Sequence, residues 1–339
     1  MTSPDYSEIL KKSWRTTFRS KWLWVYGLAL AIFAGGAGGG GSSGNLGNLT
    51  NNKSFNNLPK AIPSGTPLNE PTKVLGESVN VLVDWFKQVP VSIWVMIGIG
   101  ILVVILFRTI IKWVVTSWAK GALIGGLKDA LDDKNITLIN TTHYGIASFK
   151  RFIILGLLTA GIVLCSLFFI VSVVAIVGFV GSLFSETLKN ILLILTGFAG
   201  AVTFFLMIMV LAMVSIYADR LIVLYGYRPW DALKKAYSIS KGHYLHTILM
   251  GIINVISSSV LGCLSAIVAL VILGIPSAII AVSEFKDGLH FPSLSSLISL
   301  ILIFLVFIYT QYMVKAVLIV WTYGNWNLFF KEVVRKQKL

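Results

Sequence analysis

Residues 153–184 form a run of 32 residues without one charged side chain. About 20 apolar residues in a helix suffice to cross the hydrocarbon of a bilayer, so this run is longer than one crossing needs and must tilt, bend or protrude. Five further apolar runs occur at 22–37, 92–115, 191–217, 245–282 and 297–323. With 56% hydrophobic residues, 12% charged residues and a mean hydropathy of +0.83, against roughly 25% charged in soluble domains, the chain is expected to be all-α. It is read as a polytopic membrane protein with about six transmembrane helices. The first run is short and has a positive segment before it and small residues at 34–37. Those features also fit a cleavable signal peptide, although the aromatic-rich front favours a retained span.

The net charge of +14 is a topology signal rather than a sign of nucleic acid, for which no recognition motif is present. With six spans, 20 of the 28 Lys and Arg fall on one side and only six on the other, while the acidic residues divide 8 to 6. Cations alone set orientation, so both termini are expected on the cytoplasmic side of the cell membrane.

The segment before the first span carries the most information. Tyr6, Leu10, Trp14, Phe18 and Trp22 recur every fourth residue, with Lys11, Lys12, Arg15 and Arg19 beside them. On a helix this makes an apolar, aromatic stripe flanked by cations. Such a helix lies in the membrane interface with aromatics toward lipid and cations toward anionic headgroups. Ser3, Pro4 and Asp5 form a helix-start signal, with Ser3 as the cap. The pattern returns before the fifth run: Ile9-Leu10-Lys11-Lys12-Ser13-Trp14 aligns with Ala232-Leu233-Lys234-Lys235-Ala236-Tyr237, and Lys241 follows. A weaker copy lies at 146–152. The second span of each hairpin ends on an aromatic followed by a cation: Trp118 and Lys120, Tyr217 and Arg220, Tyr312 and Lys315. The simplest organisation is one membrane domain over 1–339 made of three units, 3–127, 138–227 and 228–330. Each unit is a basic interfacial helix plus a transmembrane hairpin. The Gly- and Asn-rich segment 35–72 is a flexible loop inserted in the first, and 79–86 reads as a short interfacial helix.

The phrases EILKKSWRTTFRSKWLWVYGLAL and RPWDALKKAYSISKGHYLHTILM resemble the corresponding segments of a broad group of bacterial six-span proteins of unknown function. That group includes the membrane domain attached to some glycerophosphodiester phosphodiesterases. The resemblance implies a six-helix membrane module and carries no catalytic residue to this chain.

Chemistry-bearing residues are sparse. His243 and His246 share a helical face, but zinc needs three or four ligands, and interfacial histidines are the simpler reading. Asp129, Asp132 and Asp133 read as a solvated loop that ends a helix, or as partners of basic helices. Asp219 and Arg220 sit near the end of a span, where the pair is expected to be structural and to snorkel. Cys165 and Cys263 are expected to be buried small hydrophobes. Asn254, Ser257, Ser258, Ser259 and Gly262 make the most polar stretch inside any span. Ser258 and Gly262 are four apart, as are Gly156 and Ala160, and Gly197 and Ala201, a spacing that allows close helix approach; the other reading of 254–262 is a polar substrate path. No metal, cofactor or catalytic constellation is expected. The function expected is that of a non-enzymatic scaffold or accessory. Its expected partners are membrane lipids, with a protein or a second copy as the further candidate, contacted through Lys11, Lys12, Arg15, Arg19, Lys234, Lys235 and Lys241. A transporter for a small or amphiphilic substrate is the alternative, and an intramembrane enzyme the weakest reading.

Overall fold

The computed structural model describes residues 4–33, 90–134, 136–285 and 294–336. The loop 35–72, the helix expected at 79–86, the small residues at 34–37 and Ser3 lie outside them. Among the described residues every regular element is helical: α1 (Tyr6–Arg19), α2 (Leu23–Phe33), α3 (Val91–Leu131), α4 (Leu138–Ser182), α5 (Glu186–Tyr225), α6 (Pro229–Gly242), α7 (Tyr244–Ala269), a π turn (Leu270–Gly274), α8 (Ile275–Phe285) and α9 (Leu294–Lys336). Five helical stretches are long and apolar enough to cross a membrane: α3, α4, α5, α9, and α7 continued through the π turn into α8. The sixth expected span is represented by α2, whose 11 residues rise only about 16 Å, half of a hydrocarbon layer roughly 30 Å thick.

The four longest helices hold 40 to 45 residues, which is about 60 Å and twice what a bilayer needs. The second span was expected to end at 115 with a loop after it. Instead α3 runs on to Leu131, because Ala119, Ala122, Leu123, Ile124, Leu127 and Ala130 keep one face buried at helical spacing. The weak copy at 146–152 is likewise no separate interfacial helix. It is part of α4, which continues unbroken from Leu138. Pro276 is the one proline, among the described residues, past the first turn of these apolar stretches, and proline normally kinks or ends a helix. The chain stays helical through it, and the π turn that precedes it accommodates the missing donor and the proline ring.

The described residues divide into two compact units, one holding residues up to 33 and from 113 onward, the other 90–112. In the first unit nearly all buried side chains fall in 9–31, 119–155, 214–254 and 316–334, which is where the spans meet the cation-rich segments. The most apolar window of each candidate span is 0% or 6% buried inside the protein. The core therefore sits at the cation-rich end, and the apolar lengths present their side chains outward.

The second half of α9 is the hub of that core. Trp321, Thr322, Tyr323, Asn325, Trp326, Asn327, Phe329 and Phe330 are all buried, and α9 packs against α1, α2, α5 and α7. Its approach to α2 is close, since a Cβ on Gly27 would stand 2.5 Å from the Ala316 carbonyl oxygen. α2 thus packs along α9. Tyr26 of α2, fully buried, reaches α4: its hydroxyl lies 3.0 Å from the Leu138 carbonyl and 2.9 and 2.7 Å from the hydroxyls of Thr141 and Thr142. Gly226, at φ 72°, closes α5 in the left-handed conformation and turns the chain into α6.

Candidate lipid-facing helices and buried polar clusters

Asp5, not Ser3, caps α1: its carboxylate accepts from the Ser7 and Glu8 amides at 3.0 and 3.1 Å. The aromatic stripe touches α9 through the Tyr6 and Trp14 rings, on Phe329 and Trp321, and is not the buried face. The buried face of α1 is Ile9, Ser13, Thr16 and Thr17, small and mostly hydroxylated, and it lies on α9. The Ser13 hydroxyl donates to the Trp321 carbonyl at 2.9 Å, and the Trp321 indole donates back to the Leu10 carbonyl at 3.3 Å. Thr16 and Thr17 turn their hydroxyls onto the carbonyls four residues earlier, so this polar face is satisfied while buried.

With that face occupied, Lys11, Lys12, Arg15 and Arg19 are exposed, as are Trp14, Phe18 and Trp22 at 40%, 42% and 57%. Tyr6 and Leu10 depart from the expected lipid-facing stripe and are half-buried. Tyr6 stacks on Phe329 and its hydroxyl lies 2.9 Å from His246 Nδ1. Burial, and then the charge of Glu332, raise the Tyr6 phenol above its ordinary value.

α6 buries the corresponding positions. Ala232, Ala236, Ile239 and Ser240 face inward where α1 places Ile9, Ser13, Thr16 and Thr17. Lys234 and Lys241 are exposed and Lys235 is half-buried; Trp230, Tyr237 and Tyr244 are exposed, with Lys234 over the Trp230 ring at 5.4 Å. α4 repeats the first three of these positions in Thr141, Gly145 and Ser148, with Phe152 one turn further, all buried. There Gly145 lies against the carbonyl of Trp118 and against Gly121, much as Ser13 lies against Trp321 and Gly324. The aromatic of α9 in this role is Trp321, nine residues beyond the Tyr312 of the sequence comparison.

The three aspartates that end α3 face cations. Asp133 pairs with Arg19 at 2.5 Å, Asp132 with Lys331 at 2.9 Å, and Asp129 with Lys134 at 3.6 Å. Arg19 and Asp133 are both largely exposed, so their pair contributes at most about 1 kcal/mol, but it fixes where the loop meets α1.

Asp219 and Arg220 do not snorkel. Arg220 is 2% exposed, donates to the Ile216 carbonyl at 2.6 Å and lies over the Tyr323 ring at 5.8 Å. The cation beside Asp219 comes from another helix: Lys120 Nζ is 3.9 Å from its carboxylate. The reason is the length of α5, which carries both residues into the core.

Asn254 is buried, and its side-chain oxygen accepts from Asn325 Nδ2 at 2.7 Å. Ser258 is half-buried, 3.5 Å from the Thr322 hydroxyl. Ser257 and Gly262 are half-buried and Ser259 is exposed. Nothing lies within 4 Å of where a Cβ would stand on Gly262, Gly156 or Gly197, so close backbone approach is made elsewhere, at Gly27, Gly121 and Gly145. Sequence reasoning passed over Asn325 and Asn327, the latter donating to the Ile124 carbonyl at 3.0 Å. Two amides inside the aromatic run 321–330 were the available signal.

His246 is engaged by Tyr6, and His243 Nδ1 is buried without a partner among the described residues. Among the described residues no three of His, Cys, Asp and Glu gather as a metal site. Cys165 and Cys263 are free and exposed on apolar helix faces, not buried as expected, because the apolar lengths that carry them have little protein around them. Compared with protein-family models, with curated proteins and with solved structures, the chain matches none.

Proposed function

We propose that this chain is a non-enzymatic integral membrane protein of the cytoplasmic membrane that organises anionic lipids or partner proteins. Its cation-rich end and both termini face the cytoplasm, and the segment from Trp22 supplies a sixth crossing. One observation carries the reading: α1 and α6 dock through faces of mostly small and aliphatic residues and keep Trp14, Phe18, Trp230, Tyr237 and most of their cations exposed. Side chains held this way suit the headgroup layer, where each Lys or Arg near an anionic surface adds about 1 kcal/mol. The resemblance to six-span membrane modules agrees with this reading.

The test is binding of the full-length protein to vesicles with and without phosphatidylglycerol, and native mass spectrometry of the detergent-solubilised protein for retained lipid or protein. Replacing Lys11, Lys12, Lys234 and Lys235 by Gln is expected to weaken retention of anionic lipid or partner at least about tenfold. Unchanged retention of both refutes the proposal.

The Asn254–Asn325 pair supports a second reading, a transporter for a small or amphiphilic substrate. Asn254 Nδ2, Asn325 Oδ1 and Trp326 Nε1 are buried without partners among the described residues, which leaves hydrogen-bonding capacity inside the helix bundle. That reading requires substrate flux in proteoliposomes that is lost in Asn254→Leu. Flux that persists in the variant removes the pair from any path.

A further inference from the structure

Lys120 of α3, Asp219 and Arg220 of α5 and Tyr323 of α9 meet inside the core. The charges do not balance: Lys120 and Arg220 both act on Asp219, which is the one carboxylate that acts on either of them. Their hydrogen bonding is incomplete as well. Arg220 offers five N–H donors, yet its bond goes to the Ile216 carbonyl of its own helix, and its buried Nε has no partner among the described residues. Lys120 Nζ, 3.9 Å from Asp219, is beyond hydrogen-bond reach of it. One turn before Lys120 on α3, the Thr116 hydroxyl is also buried and unpartnered. A buried cation in excess is costly unless an anion accompanies it.

We propose that this cluster binds a phosphate group, either the headgroup of an anionic bilayer lipid or free phosphate. The planar guanidinium of Arg220 matches two phosphate oxygens, while the Lys120 ammonium and the Thr116 hydroxyl supply further donors. Asp219 offsets one cation, so that a single bound negative charge neutralises the cluster. The side chains of Lys120 and Asp219 remain 29% and 13% exposed, which leaves a way in. The site is separate from the exposed cations of α1 and α6, and either assignment can fail without the other.

The experiment uses the full-length protein, delipidated in detergent and titrated separately with inorganic phosphate and with dioctanoyl phosphatidylglycerol, read by thermal shift and native mass spectrometry. Saturable binding is expected, weakened about tenfold or more by Lys120→Gln and tightened by Asp219→Asn. It should persist in the variant lacking the four surface lysines. Lipid bound at least about tenfold tighter than phosphate assigns the site to a headgroup, and equal binding assigns it to the free anion. Arg220→Gln should abolish binding; if it does not fold, Lys120→Gln, whose side chain is partly exposed, decides. Saturation by neither probe, binding indifferent to both Lys120→Gln and Asp219→Asn, or binding lost only with the surface lysines overturns the proposal.

Discussion

The contact between α1 and α9 makes a quantitative prediction at Gly324. A Cβ there would collide with the Ser13 hydroxyl, but it would stand 3.4 Å from the Ser13 Cβ and 3.7 Å from Leu127 Cδ2, both ordinary contacts. Gly324→Ala should therefore displace Ser13 and break its bond to the Trp321 carbonyl. Forced overpacking costs about 1–3 kcal/mol, the lost hydrogen bond about 1 kcal/mol, and alanine returns about 1 kcal/mol of helix propensity. The net loss expected is about 1–3 kcal/mol. Ser13→Ala alone removes the bond and should cost about 1 kcal/mol. In the double variant the collision is gone and the propensity gain remains, so stability should return to within about 0.5 kcal/mol of the parent, within the error of adding such terms. Reversible SDS titration in mixed micelles, followed by tryptophan fluorescence, measures all four proteins. Equal effects of Gly324→Ala with Ser13 present and with Ser13→Ala would refute the contact. That Ala236 and Gly145 stand at the matching points of α6 and α4 shows that a side chain without a hydroxyl fits the same role.

Three further outcomes follow from the same structure. Gly27→Ala, whose Cβ would stand 2.5 Å from the Ala316 carbonyl oxygen, should lower stability by about 1–3 kcal/mol. Gly262→Ala, with nothing within 4 Å, should leave it unchanged or raise it by up to about 1 kcal/mol in the same titration. The raised pKa of Tyr6 means that the folded protein holds the phenol proton more tightly than the unfolded chain does. The stability it contributes is complete below pH ~10 and is lost as pH rises through the raised folded value. Tyr6→Phe should flatten this alkaline decline in a thermal-unfolding series, and an unchanged slope would remove Tyr6 as its source.

Much of the helical content was readable because apolar runs far longer than a soluble core can hold permit few alternatives. The exposed faces of α1 and α6 were readable too, since Lys and Trp at helical spacing announce themselves in composition. What was not readable is how these helices attach. Ser13, Thr16, Thr17 and Ala236 are weak signals, and the carbonyl that Ser13 bonds lies 308 positions away, with nothing local to mark it. The same holds for Arg220. A charge near a span end normally reaches back to water, and only the extension of α3, α5 and α9 beyond a bilayer's thickness turns that position into interior. Asn325 and Asn327 were obscured by the aromatic residues around them.

The central place of α9 also orders events in time. Ser13, Gly27, Ile124 and Asn254 all have their partners between Ala316 and Asn327. A ribosome adding ~5–20 residues per second needs tens of seconds to travel from the first of these positions to the last. Through that interval the earlier helices can occupy the bilayer one by one, yet the contacts that join them to α9 do not exist. A membrane protease that samples nascent chains therefore meets α1 and α2 before they dock on α9, and a chain that stops before residue 316 never leaves that condition. Growth of this protein's folded population should track completion of its last described helix rather than insertion of its first.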